Sequence, residues 1–527
     1  MADRHAPQSH APQSHSHATL DARAEPFRTH MRRTLVLGLP LVGAQLAQML
    51  INTTDTVMLG WLGTVELAAG TLATQFFFVF FIVGIGFAAA MTPMIASALG
   101  RAEEAAHVET ADEVPDDALR PVRRATRMGL WVLLIVSALF MIPMLFVEPI
   151  LTAFGQPPEV IALAADYLII AQWSLFPALL VMGLRQFLTA LERAQAVLWI
   201  TVATALMNGL LNWAFIFGNW GAPRLEIRGA AVATIGANIA ALLLVVAYIA
   251  WTPALARFRL FVRLWRPDWT AFAEVARLGW PIGLALLAEA GLFAVSSLMM
   301  GAIGTLPLAA HGIALQLASL AFMIPLGLST AATVRVGNAL GRDRPLDVAR
   351  AGWAAFLCAL AFAGVSALLF VTVPEELSAL FLRDNPDAAS VVAVAVPLLA
   401  MAAAFQLADA GQVVGAGVLR GLKDTRVPML IAVAAYWGLG VPAAWFLGLH
   451  MGFGGPGVWG GLVVGLTVAA VALAWRFHRL ERFNLGSSRS GGEEPPGAYA
   501  PPFAKREASH GSEGRSPTAA CPGRDPG

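Results

Sequence analysis

The sequence predicts an all-α polytopic membrane protein, with twelve transmembrane helices arranged as two six-helix lobes related by an internal repeat. Three observations predict it. Hydrophobic residues fill 57% of the 527 positions and charged residues only 13%, at a mean hydropathy of +0.66, whereas soluble domains carry about 25% charged residues. Apolar runs long enough to cross about 30 Å of hydrocarbon as helix recur twelve times along the chain. The second six of these runs repeat motifs of the first six.

In chain order the runs lie near 34–59, 68–97, 128–149, 160–183, 195–217, 229–252, 271–300, 308–336, 352–373, 389–419, 427–448 and 456–477. Residues 1–30 are polar and lack the apolar core of a secretory signal, so the first run is expected to act as an uncleaved anchor. One set of alternate loops and flanks collects nearly all the basic residues, among them Arg101, Arg120, Arg185, Arg193, Arg257, Arg335, Arg342, Arg344, Arg420 and Lys423. The other set holds only Arg224, Arg228 and Arg383. Basic loops stay in the cytoplasm, so both termini and the 102–127 loop are expected there.

The repeat is legible without gaps over its first part. LGLP at 37–40 matches LGWP at 278–281, VMLGWLGT at 57–64 matches LMMGAIGT at 298–305, and SALGR at 97–101 matches GNALGR at 337–342, all at an offset of 241. After the 102–127 loop the offset falls to about 231, where ALERAQ at 190–195 faces GLKDTR at 421–426. Each copy holds an even number of spans, so the two point the same way and are related by an axis along the membrane normal. The expected organisation is a His-rich disordered tail at 1–32, an N-lobe at 33–252, a basic aromatic linker at 253–270 lying at the headgroups, a C-lobe at 271–478 and a disordered tail at 479–527. The tail histidines His5, His10, His15 and His17 are read as part of that disorder. The acidic 102–119 stretch has no assigned purpose.

The repeat also separates fold from function, because polar residues present in one copy only need a reason other than packing. Three carboxylates meet this test. Asp55 faces Ser296 in the repeat, Glu289 faces Gln48, and Asp409 falls near Ala178. A central acid costs about 2.5–3.5 kcal/mol to insert, so the three impose about 8 kcal/mol. With no basic partner at matching depth, each is expected to be protonated or to hold a cation. Asn208 and Asn212 are four apart, on one helix face, and have Leu439 and Ala443 as repeat partners. An acid with amide and hydroxyl oxygens suits a hard cation such as Na⁺, and Thr234 is the candidate hydroxyl. Two plainer readings stand beside these: Asp55 as an interfacial helix cap, and the asparagines as interhelical glue. Phe76, in the run Phe76, Phe77, Phe78, Phe80 and Phe81, reads either as drug-pathway lining or as lipid-facing bulk.

Several function classes are excluded. No GxxxxGK[ST] loop is present, and the lysines are Lys423 and Lys505 alone, which speaks against ATP-driven transport. No nucleophile or zinc motif of an intramembrane enzyme is recognisable. A net charge of +1 from 35 basic and 34 acidic residues offers nothing to nucleic acid, and two cysteines give no disulfide framework. An ion gradient remains as the energy source. One cation crossing about 150 mV supplies about 3.5 kcal/mol, enough for roughly a 300-fold gradient of a neutral solute.

TDTVMLG at 54–60, AEAGLFAVSSLMMGAIG at 288–304, AAHGIALQLASLAFMIPLGLSTAATVRVGNALG at 309–341 and DAGQVVGAGVLRGLKDTRVPM at 409–429 resemble the NorM branch of the multidrug and toxic compound extrusion (MATE) transporters. The resemblance covers Arg33 to Phe477. It implies two lobes forming a V around a central cavity, alternating access, and export of cationic or amphiphilic organic compounds across a bacterial inner membrane against inward Na⁺ or H⁺. It matches Asp55 to the family's first-helix aspartate of the N-lobe cation site, Asn208 and Asn212 to the paired polar positions of the fifth helix, and Glu289 and Asp409 to the C-lobe acids. Glu289, Asp409 and Phe76 are the expected substrate contacts. The implied protein works as a monomer among membrane lipids, without a cofactor beyond its coupling ion. The alternative within the superfamily is a flippase for lipid-linked precursors.

Overall fold

The computed structural model describes residues 25–108, 114–262, 265–382 and 388–490. Twelve helices in it are long and apolar enough to span a membrane: α1 Phe27–Gly60, α2 Thr64–Ala106, α3 Arg120–Met144, α4 Pro158–Ala190, α5 Ala194–Phe217, α6 Glu226–Trp251, α7 Trp269–Ile303, α8 Thr305–Gly341, α9 Pro345–Thr372, α10 Ala388–Gly421, α11 Arg426–His450 and α12 Gly454–Arg482. Each coincides with one of the twelve apolar runs, and no strand occurs among the described residues. The chain up to Glu481 is one compact unit; from Arg482 a second begins, helical to Ser490. Leu206, Leu243, Leu368 and Val471 are exposed on the bundle, as suits side chains whose solvent is lipid rather than water.

Several helices outrun their apolar stretches at the arginine-rich end, hereafter the basic end. Hydropathy marks where hydrocarbon stops, whereas the helix continues wherever its polar residues find partners. Helix α1 therefore starts inside the expected 1–32 tail, held by Glu25 N donating to Asp347 (3.0 Å) and by the Arg33–Glu25 ion pair (2.5 Å). Similarly, 102–108 is helix rather than loop: Glu103 pairs with Arg342 (2.7 Å) and Glu104 with Arg344 (2.9 Å). The tail histidines, Arg383 and the rest of both expected tails lie outside the described residues. The linker packs onto the helical bundle through its apolar side chains. Leu255, Phe258 and Leu260 are buried, Phe258 meeting Phe187 edge-on at 5.5 Å. Asp268 caps α7 by accepting from Ala271 N (3.2 Å) and also takes Arg124. Burial pushes its carboxyl up, but Arg124 and the Thr270 and Ala271 hydrogen bonds outweigh this and hold it at about 2.

The 241-residue offset reappears as geometry. Where α2 crosses α8, a Cβ on Gly100 would stand 2.2 Å from Asn338 O, and one on Gly341 would stand 2.2 Å from Ser97 O. Gly341 is the repeat of Gly100, and Asn338 the repeat of Ser97. The same reciprocity joins Gly38 on Leu328 to Gly279 on Phe87, and Gly327 on Val42 to Gly86 on Gly283. Such paired contacts define an isologous, pseudo-twofold interface, and only glycine allows the backbones this close. This seam joins α1, α2, α7 and α8 at and toward the basic end. The core around Met91, Leu133, Phe187, Ile282 and Val334 likewise draws on both halves of the chain. Toward the other end the clusters separate: one around Leu59, Tyr167 and Leu168 is built from α1–α6 and its adjoining segments, another around Leu292, Phe405, Tyr436 and Trp459 from α7–α12.

Candidate functional site: two groups of buried polar residues

In the first half, α1 and α5 pack together and carry Asp55, Asn208 and Asn212 to one point. Asn208 Nδ2 and Asn212 Nδ2 each donate to Asp55 Oδ1 at 2.5 Å. The four-residue spacing stacks both amides on one face of α5, and both side chains are buried. Asn212 Oδ1 is buried without a hydrogen-bond partner. Asp55 sits near the C-terminus of α1, where the helix dipole disfavours a carboxylate, and its partners are side chains of another helix, so it is not a cap. Thr234 lies one helix away, on α6. Its hydroxyl donates to Ala230 O (2.9 Å) and is hydrogen-bonded to Tyr167, whose own hydroxyl lies close to Asp55 and also reaches Thr74. Phe76 packs edge-on against Phe80 at 5.4 Å, on the cluster around Tyr167.

In the second half, α7 carries Glu289 and α10 carries Asp409, close enough for each charge to act on the other. Asp409 Oδ1 is buried and unpartnered. Arg420, at the basic end of α10, lies near Glu289, which corrects the expectation that no basic residue reaches the acids. A long side chain can carry its charge well away from its own Cα. The repeat position shows the same device in neutral form, with Arg185 donating to Gln48 Oε1 at 3.2 Å. Tyr436 on α11 is buried in the cluster that contains Ala288 and Ala408, the chain neighbours of the two acids. The position matching Asp55 is occupied differently: Ser296 and Ser297 meet His311 Nε2 at 3.5 and 3.2 Å, while Trp459 donates to His311 Nδ1 at 3.1 Å.

Sequence reading missed Tyr167, Tyr436, Arg420 and His311. Tyrosine rarity was an available signal, since the chain has only four and two of them lie buried beside the acid groups.

Two six-helix halves that point the same way, related by an axis along the membrane normal and holding acids between their helices, define a secondary transporter of the bilayer rather than an enzyme. The MatE family model matches residues 40–112, 118–214 and 281–446. The chain belongs to this family. It is 51% identical over 455 residues to the probable multidrug resistance protein NorM of Rhizobium meliloti (strain 1021), covering 86% of this chain and 94% of that one. It is 46% identical to the probable NorM of Agrobacterium fabrum (88% and 96% covered) and 39% identical to the multidrug resistance protein NorM of Burkholderia vietnamiensis (88% and 97% covered). Among solved structures, a eukaryotic MATE transporter superimposes with a TM-score of 0.74 at 21% identity, covering 87% of this chain and 98% of that one. A variant of the Vibrio cholerae MATE transporter VcmN gives 0.76 at 19%, with the same coverage. These structures share the fold.

Proposed function

We propose that the protein is a secondary multidrug exporter, moving cationic or amphiphilic organic compounds out across the bacterial inner membrane in exchange for inward Na⁺ or H⁺ by alternating access. The observation that carries this reading is the Asp55 group. A carboxylate held by two amides, one of which keeps a buried oxygen free, can receive a cation: turning either amide about its last torsion exchanges nitrogen for oxygen. Glu289 and Asp409, deep in the other half, supply the second charged group, where the organic cation or a coupling ion is bound. The NorM names of the relatives support the same substrate class. The flippase alternative has one observation in its favour, Arg185 on the neutral Gln48. Three intramembrane acids against it favour a cationic cargo.

Asp55→Asn should keep organic-cation binding but lose ion-driven efflux by at least about 10-fold, equivalent to about 1.4 kcal/mol. Proteoliposomes given Na⁺ and pH gradients separately would measure this, and the gradient that drives the wild type names the ion. Full ion-driven efflux by Asp55→Asn would move coupling to Glu289 and Asp409.

The arginine asymmetry supports a cytoplasmic basic end, with both chain termini there. In intact cells lacking the native thiols, Arg224→Cys should react with a membrane-impermeant maleimide and Asp117→Cys only after permeabilisation. Both native side chains are exposed. The opposite pattern would invert the topology.

A further inference from the structure

Among the described residues of the second half four side-chain oxygens are buried without hydrogen-bond partners: Thr425 Oγ1 in the α10–α11 connection, and, within the helices, Asp409 Oδ1, Gln412 Oε1 and the Tyr436 hydroxyl. Asp409 is 3% exposed, Gln412 5% and Tyr436 0%. Gln412 lies three residues after Asp409 on α10, hence on a neighbouring face position, and Tyr436 packs in the same buried cluster as Ala288 and Ala408, the chain neighbours of Glu289 and Asp409. Each orphaned buried polar atom costs about 1–3 kcal/mol, so three together are not incidental. An amide oxygen and a carboxylate oxygen only accept, and a phenol oxygen accepts as well as donates. What the group lacks is a donor or a cation.

The backbone around Tyr436 is equally unusual. Ala434–Gly440 of α11 is wound as π-helix, as is Phe446–His450 further along, a geometry frequent at functional sites. Within it Trp437 Nε1 donates to Ala288 O at 3.1 Å, which ties the widened turn to α7 one residue from Glu289. By the offset of 231, Tyr436 has Ala205 as its repeat partner, so the asymmetry that singled out the acids singles out this residue too.

We propose that Tyr436, with Gln412, completes the binding group of the second half: its hydroxyl oxygen and the Gln412 amide oxygen join Asp409 in ligating a dehydrated monovalent cation, either the coupling ion or the ammonium head of the organic substrate. The inference rests on the reading of Glu289 and Asp409 as a cation-binding pair. The π-helical turn is what lets a residue of α11 face α7 and α10 at once.

Tyr436→Phe removes one oxygen and keeps the ring in its core. Ethidium efflux from proteoliposomes, driven by whichever gradient powers the wild type, should then need about a 10-fold higher ion or ethidium concentration for half-maximal rate. The maximal rate should fall much less and the melting temperature should stay within a few degrees. Gln412→Met should shift the same midpoint, and Tyr248→Phe should not. An unshifted midpoint in both Tyr436→Phe and Gln412→Met overturns the proposal, whether or not stability changes. Glu289→Gln and Asp409→Asn are run beside them: if these abolish efflux while the two midpoints stay put, the acid pair stands and the Tyr436 proposal falls. Wild-type efflux by both acid variants would remove the pair from transport, and this proposal with it.

Discussion

Replacing Gly86 by alanine is expected to abolish export while leaving an inserted, helical protein. The new Cβ would stand 2.2 Å from Gly283 N and 2.3 Å from its Cα, and backbone cannot step aside as a side chain tip can. Overpacking of this kind costs about 1–3 kcal/mol. The cost falls on the state in which the seam is closed, so the balance between closed and open basic ends shifts by roughly 5- to 150-fold. Gly283→Ala should be milder, because its Cβ meets Val83 O at 2.9 Å and the Val83 side chain at 3.0 Å. Gly312→Ala, with nothing within 4 Å, should be silent. Resistance to ethidium, with maleimide accessibility of cysteines at the basic end, measures both consequences. Wild-type resistance from Gly86→Ala would show that the seam need not close during transport.

Neutralising the second-half acids should be comparably severe. Truncating one partner of a buried charge pair, here an acid and the cation it is proposed to bind, typically costs about 2–5 kcal/mol, so Glu289→Gln and Asp409→Asn should each lower ion-driven efflux by at least roughly 30-fold. They should differ in stability. Glu289→Gln leaves Arg420 without the charge that faces it, whereas Asp409→Asn removes a charge that lies beside Glu289 and relieves repulsion. The first variant should therefore melt lower than the second in detergent. Unimpaired efflux by both would place coupling and substrate recognition elsewhere.

Helix number and the pairing of halves were open to inspection in the residues, because hydropathy and the 241-residue offset report the solvent and the ancestry directly. Asn208 and Asn212 could be paired from the sequence because a four-residue spacing fixes a helix face, and Asp55 joined them through the asymmetry of the repeat and the family resemblance. Other features carry no such periodic signal. Arg420 reads as a helix-end flank, and only the packing of α10 on its neighbours brings its charge to Glu289. The π-wound turn of α11 has no compositional mark that separates AAYWGLG from ordinary helix. Glu103 and Glu104 read as loop because their partners, Arg342 and Arg344, stand some 240 residues away. The donation of the Thr234 hydroxyl to Ala230 O is likewise unmarked in the sequence, since a hydroxyl inside a helix readily gives its proton to the carbonyl four residues back.

The reciprocal glycine contacts restrict how the basic end can open. Every contact has a mate across the pseudo-twofold axis, and the three mated pairs sit at successive depths. Sliding one half along the other would relieve one member of a pair while driving its mate deeper into opposing backbone. Rocking the halves apart releases both members together. In mechanical terms the mated contacts resist shear and yield to separation.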